Sequence, residues 1–192
     1  FKLGQTDQDS NETYLGLTDE DFSADPNRRY RASHLDNIQS GHEQQQLSHY
    51  IQFSDHVDLT TVVYNNDFDR NWFKLENVNG QTLGTILAEP DRYANEMAWI
   101  RGADSPANAF RLRNNNRAYS SEGVQSLLVA SHDWGSSQHQ FEFGLRYHED
   151  YEDRFQDEDR YAMRGGSLLR TTDNAPGSNA NQLVEAQAWS SY

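Results

Sequence analysis

The chain has 192 residues, with 16 Lys plus Arg against 30 Asp plus Glu for a formal net charge of -14, and it has no cysteine. That balance argues against nucleic acid as a partner, because phosphates reward clustered Lys and Arg, and the missing thiols remove disulfides and thiolate metal sites. With 35% apolar residues and a mean hydropathy of -0.97, no segment approaches the roughly 18 apolar residues of a membrane helix, so any bilayer crossing falls to strands.

In chain order, residues 1–5 read as the upper end of a strand. Thr18-Asp19-Glu20-Asp21 offers an N-cap with an acid three positions on, and Pro26 follows, so a short helix is expected over 19–24 inside a loop. Residues 44–53 and 57–75 read as strands joined only by Ser54-Asp55-His56. A polar excursion then runs over 76–117, with short helices expected over 82–89 and 91–100 on either side of Pro90. Within it Gly102, Pro106 and Asn114-Asn115-Asn116 are expected to be irregular. Residues 118–132 and 139–148 form the next pair, joined by residues 133–138. A second polar excursion covers 149–181, and 182–192 is a last strand. The chain opens without Met and stops in mid-strand, so it is expected to be an internal piece of a longer protein.

Reversing direction at each connection puts both long excursions at one end of the sheet and both tight turns at the other. Outer-membrane barrels are built this way, with short periplasmic turns and long extracellular loops, whereas a soluble sandwich has no such constraint. The expected fold is therefore all-β, an antiparallel meander with short helices in its long loops. Ten Tyr, nine Phe and four Trp suit aromatic girdles at membrane interfaces, and equally a polar carbohydrate-binding sheet.

Alternation is cleanest in 139–148. Phe141, Phe143, Leu145 and Tyr147 share one face, and Gln140, Glu142, Gly144, Arg146 and His148 the other. Leu47, His49, Ile51 and Phe53 form a row opposed by Ser48, Tyr50 and Gln52. In 57–75 the set Leu59, Thr61 and Val63 competes with Val62, Tyr64 and Phe68, which a bulge would reconcile. In 118–132 Leu127 and Val129 oppose Val124, Leu128 and Ala130.

Little in the sequence points to catalysis. Ser131-His132-Asp133 has the letters of a hydrolase triad, but neighbours on a strand face opposite ways. His148-Glu149-Asp150 with Glu152 and Asp153 lacks zinc or calcium-loop spacing and reads as solvated charge, as does Asp157-Glu158-Asp159. Neither a catalytic nor a metal residue is therefore assigned, and no resident cofactor is expected. The candidate ligand site is Arg111, Arg113 and Arg117 with Asn115 and Asn116, because guanidinium forks hold carboxylates bidentately. The competing reading pairs these arginines with nearby acids. Arg28, Arg29 and Arg31 raise the same two possibilities.

Specific segments also resemble a known family. Ser10-Asn11-Glu12-Thr13-Tyr14-Leu15-Gly16-Leu17-Thr18-Asp19, followed by Phe22, Asp25-Pro26 and Arg28-Arg29-Tyr30, is similar to a loop of the TonB-dependent outer-membrane receptors of the ferric-citrate type. So are Leu59-Thr60-Thr61 with Tyr64, Asn66-Asp67-Phe68 and Trp72, then Asn115-Asn116-Arg117 with Tyr119, Ser121 and Gly123. The most distinctive is Gly144-Leu145-Arg146-Tyr147-His148-Glu149-Asp150 with Glu152-Asp153-Arg154. The matches keep the family's order over most of 10–160. The resemblance implies a transmembrane barrel of about 22 strands in the outer membrane of a Gram-negative bacterium. It would import a ferric siderophore or ferric citrate with energy passed through TonB to a plug domain absent from this chain. Outer-membrane lipid would surround the wall, and no catalysis is implied. The alternatives are a secreted β-sheet protein holding polysaccharide on Trp72, Trp99, Trp134 and Tyr161, and a surface hydrolase using two carboxylates.

Overall fold

Asp55 and His56 alone separate two strands that stay paired from Ser54↔Val57 up to Asn37↔Phe73. The computed structural model describes residues 1–172 and 181–192. Among them the strands are β1 (Lys2–Ser10), β2 (Asn37–Ser54), β3 (Val57–Val78), β4 (Gln81–Thr82), β5 (Phe110–Trp134), β6 (Ser137–Arg164), β7 (Ser167–Thr172) and β8 (Gln182–Ser191). The helices are α1 (Asp19–Ala24), α2 (Leu83–Ala88) and α3 (Ala94–Arg101), with a 3-10 turn over Arg31–Ser33. The fold is all-β, one antiparallel sheet curled into a half-barrel, in the order β1-β2-β3-β5-β6-β7. β8 joins the same edge of β6 as β7, further down: Thr172 lies opposite Arg160 and Gln182 opposite Arg154.

The strands are longer than expected, and both polar excursions shrink. β3 continues to Val78 and β5 begins at Phe110, so Arg111, Arg113, Asn114, Asn115, Asn116 and Arg117 belong to a fully paired strand and not to a loop. β6 runs through 149–164 and turns back at Gly165-Gly166, where φ of 57° and 79° suits a two-residue hairpin. Residues 173–180 of that excursion lie outside the described residues. The correction has one cause. A strand held by backbone bonds to two neighbours needs no apolar row once it leaves a hydrophobic layer, so polarity alone does not mark its end. At the other end the turns are tighter than expected, since β5 reaches Trp134 and only Gly135-Ser136 precede β6.

The long connections that remain, 11–36 and 79–109, sit together at one end and share a small core. Leu75, Val78, Phe110, Leu112, Tyr161 and Met163 from the strand ends meet Leu15, Tyr30, Ile86, Met97 and Ile100 from the connections. α1 starts where its cap predicts, with Thr18 Oγ1 accepting from the Asp21 amide at 3.2 Å. Thr82 caps α2 in the same way, and Pro90 separates α2 from α3, which starts three residues later than the sequence suggests. Two buried acids pin this cap. Asp21 accepts from the Tyr30 hydroxyl at 2.5 Å and from Arg101 at 2.9 Å, and it also pairs with Arg28. Asp36, fully buried, accepts from the Thr13 hydroxyl at 2.5 Å and from the Leu75 amide at 2.8 Å.

Candidate functional site

Register decides what each face of the sheet carries. Phe143 pairs with Leu128, Leu128 with Leu59 and Leu59 with Ile51; Tyr147 pairs with Val124, Val124 with Val63 and Val63 with Leu47. These rows share the more exposed face, where Phe143 is 54% and Leu145 48% exposed. The competing apolar sets of β3 therefore sort without a bulge between Leu59 and Phe68; the irregularity lies higher, between Leu75 and Asn77. From Phe141 to Tyr147 the apolar band advances about 20 Å along the strand. Trp134 lies below it, and Trp189, packed 4.7 Å from Tyr147, lies at its upper margin.

Above the band the two faces differ in sign. Along β3, β5 and β6 the exposed face presents Asp67, Asp69, Glu122, Glu149, Asp153 and Asp157 and neither Lys nor Arg, as the register requires. The opposite face, more enclosed by the curl, takes Arg70, Lys74, Arg111, Arg113, Arg117, Arg146, Arg154 and Arg160. Alternation by two along each strand does the sorting.

One row on the enclosed face stands out. Arg70 lies opposite Arg117, and Arg117 opposite Arg154, so three guanidiniums sit abreast over about 10 Å. Glu152 reaches two of them, Arg117 at 3.1 Å and Arg154 at 3.4 Å. Arg70 has no ion pair with any described residue, the Nε of Arg117 is buried without a hydrogen-bond partner, and the Nε of Arg154 has the 3.4 Å ion pair with Glu152 but no hydrogen bond. Three cations abreast, with one carboxylate between two of them, leave this row short of negative charge. The rows above are better balanced. Arg113 meets Glu158 at 2.5 Å and Glu76 at 3.1 Å, and Arg111 lies 3.4 Å from the second oxygen of Glu158. Lys74 stacks its ammonium 3.4 Å from the Tyr14 ring centroid and 5.0 Å from that of Trp72. Burial lowers its pKa.

The sequence-predicted site is thus split. Arg111, Arg113, Asn115 and Arg117 share the enclosed face, while Asn116 pairs with Asn71 and Phe155 on the exposed one. Asn115 is engaged, accepting from Gln156 at 2.7 Å. Arg111 and Arg113 pair with acids of neighbouring strands, and only Arg117 belongs to the underneutralised row. Arg70 and Arg154 escape a linear reading, because Arg70 is the lone arginine of β3, Arg154 sits in an acidic run of β6, and only register aligns them with Arg117. Arg28 and Arg29 are absorbed by the cap: Arg28 pairs with Asp21, and Arg29 donates to the carbonyls of Asn11 and Asp36.

Below the arginine row a polar chain crosses β5. Arg146 donates to the Tyr64 hydroxyl at 2.9 Å, Tyr64 meets Nδ1 of His148 at 2.6 Å, and Nε2 of His148 lies 2.9 Å from Asp150. Thus His148, Asp150 and Glu152 share the enclosed face while Glu149 and Asp153 face away, which divides the acidic run. Among the described residues no group of three His, Cys, Asp or Glu is placed to hold a metal. No helix there is long and apolar enough to cross a membrane, a fact silent on strands. Ser131 and Asp133 share a face and His132 takes the other, as alternation requires. Trp134 sits at the tight-turn end, whereas Trp72, Trp99 and Tyr161 lie at the capped end and Tyr161 is buried. Comparison with protein-family models, curated proteins and solved structures returned no match.

Proposed function

We propose that this chain is part of the wall of a TonB-dependent outer-membrane barrel that takes up an anionic ferric chelate, a siderophore or ferric citrate. The observation that carries this reading is the pairing of an apolar, aromatic-edged band on the exposed face with an underneutralised arginine row on the enclosed face. In a barrel the first meets hydrocarbon and the second lines the interior. Strand length fits as well. A membrane strand needs about 9–11 residues, so the 28 residues of β6, about 90 Å long, carry the wall well beyond a bilayer and lift the arginines into the vestibule. The resemblance to ferric-citrate receptors supplies the transport chemistry, the plug and TonB.

In this mechanism the chelate's carboxylates displace Glu152 from Arg117 and Arg154 and engage Arg70, which has no carboxylate partner among the described residues. Bidentate guanidinium contacts orient the anion, and the cap over 11–36 and 79–109 stands above it. The test is ferric citrate binding by the assembled receptor with Arg70, Arg117 and Arg154 changed together to Ala. Affinity falls by about a hundredfold if two charge-assisted contacts are lost; unchanged affinity removes the row from the site. A protein that stays monodisperse without detergent would instead be a soluble sheet.

A further inference from the structure

The chain's one Asn-Gly pair closes the loop between β3 and β4. Val78 pairs with Gln81, so Asn79 and Gly80 alone make the reversal, with φ of 51° and 79°. A two-residue turn with both positions left-handed prefers this dipeptide. The same dipeptide leaves the asparagine side chain open to attack from its own backbone, because glycine has no Cβ to shield the amide nitrogen that follows. Asn79 and Gly80 are both exposed, and a Cβ built on Gly80 would meet nothing within 4 Å.

Little holds this turn closed. β4 is only Gln81–Thr82, paired at Asn77↔Thr82 and Val78↔Gln81. The Asn79 amide donates to the Ala109 carbonyl at 2.6 Å, and Nδ2 of its side chain donates to Oε1 of Glu96 at 2.9 Å. Glu96 belongs to the first turn of α3, so the Asn79 side chain ties the hairpin to that helix. These bonds slow a reaction of the turn without preventing it, since a short exposed hairpin opens locally far more often than the sheet unfolds.

We propose that Asn79 is a site of spontaneous succinimide formation and deamidation, independent of the transport reading. When the turn opens, the Gly80 nitrogen attacks Cγ of Asn79. That C–N bond forms, the Cγ–Nδ2 bond breaks, and ammonia leaves with the proton that Gly80 gives up. Water then opens the cyclic imide. Addition at Cγ restores the ordinary backbone with aspartate at position 79, and addition at the main-chain carbonyl carbon routes the backbone through the side chain as isoaspartate. Either way the Nδ2 donor is gone and residue 79 carries a carboxylate, which only accepts. The bond to Glu96 is lost, and two like charges face each other in its place. The start of α3 therefore comes away from the turn, while the buried Met97 and Ile100 keep the rest of the helix in the cap.

Incubation of the intact protein in water enriched in heavy oxygen, at mildly alkaline pH, followed by peptide mapping tests this. The peptide carrying residues 79 and 80 should gain the mass of an amide-to-acid exchange together with the isotope, ahead of every other asparagine. Isoaspartate methyltransferase should then label the same peptide. Glu96→Ala, which frees the side-chain amide, should speed the conversion about threefold or more, and Asn79→Gln, which keeps a donor but has a larger ring to close, should stay unmodified. Hydrogen exchange in the first turn of α3 should rise as the unsubstituted protein ages and not as Asn79→Gln ages. Absence of the isotope at residue 79 overturns the site. An unchanged rate in Glu96→Ala, or unchanged exchange in α3 of the converted protein, overturns its link to the cap.

Discussion

Tyr64 lies across Gly123, and its hydroxyl reaches His148 on the far side of β5, 2.6 Å from Nδ1. The three share one row of the register, β3 to β5 to β6, so the aromatic ring bridges a strand that has no side chain at the crossing. Tyr192 covers Gly144 in the same manner one strand over. Such aromatic cover of a strand glycine pins register and twist together.

A side chain at 123 therefore has nowhere to go. Its Cβ would stand 2.5 Å from the Tyr64 hydroxyl and 2.6 Å from the backbone oxygen of Tyr147, and the second cannot retreat. Gly123→Ala is expected to lower stability by about 1–3 kcal/mol through overpacking. Denaturant midpoints of the two proteins in the same detergent measure it, and an unshifted midpoint would show that the crossing is loose.

The cap responds to pH through two acids of opposite sign. Burial pushes Asp36 up to about 6, against hydrogen bonds from Thr13 and Leu75 that favour its ionised form. A carboxyl raised above its unfolded value binds its proton more tightly when folded, so the stability it contributes is complete below about pH 4 and is lost as pH rises through about 6. The change is on the order of 2–3 kcal/mol. Asp21 is held down to about 2, chiefly by hydrogen bonds from Tyr30 and Arg101, and its contribution is present above about pH 4 and lost as pH falls toward 2. Hydrogen exchange at the Leu75 amide should accelerate between pH 4 and 7 beyond its intrinsic base-catalysed rise. Asp36→Asn should abolish that excess.

Leu127 and Leu128 are neighbours with opposite duties. Leu128 pairs with Phe143 on the apolar band, and Leu127 with Gly144 on the enclosed face. If the band meets lipid, Leu128→Arg costs about 2–4 kcal/mol and blocks assembly into vesicles, while Leu127→Arg assembles. Equal behaviour of the two variants would count against a membrane wall.

Among the described residues Glu152 is the only carboxylate shared by Arg117 and Arg154. Its neutral isostere, Glu152→Gln, should tighten ferric citrate binding by about tenfold by removing the competing acceptor, and calorimetry at fixed ionic strength reads the change. Weaker binding would mean that Glu152 orients the arginines more than it competes with the ligand.

What the sequence made legible was local. The Thr18 cap, the Pro90 break, the Ser54-to-Val57 reversal and the row from Phe141 to Tyr147 each depend on residues close in the chain, where turn chemistry and period-two alternation act directly. The extents of β5 and β6 were not legible, because above the apolar band both of their faces are polar and the pattern that marks a half-buried strand disappears. The anion row was hidden for a different reason. Arg70, Arg117 and Arg154 come together through a 47-residue and a 37-residue separation in the pairing, and no linear motif encodes alignment. Adjacent Asn115 and Asn116 looked like one site and lie on opposite faces.

The sorting of charge by face also guards the fold against its simplest error. Sliding β5 by a single position against β6 would turn Arg111, Arg113 and Arg117 outward among Asp153 and Asp157 and would carry Val124 and Leu128 inward, forfeiting the greasy belt at the same stroke. Polar strands such as these, with little else to fix their alignment, are the ones most prone to slippage. Here every slip by an odd number of positions is penalised at both ends of the strand, so the electrostatics that would hold a ligand also proofread the assembly.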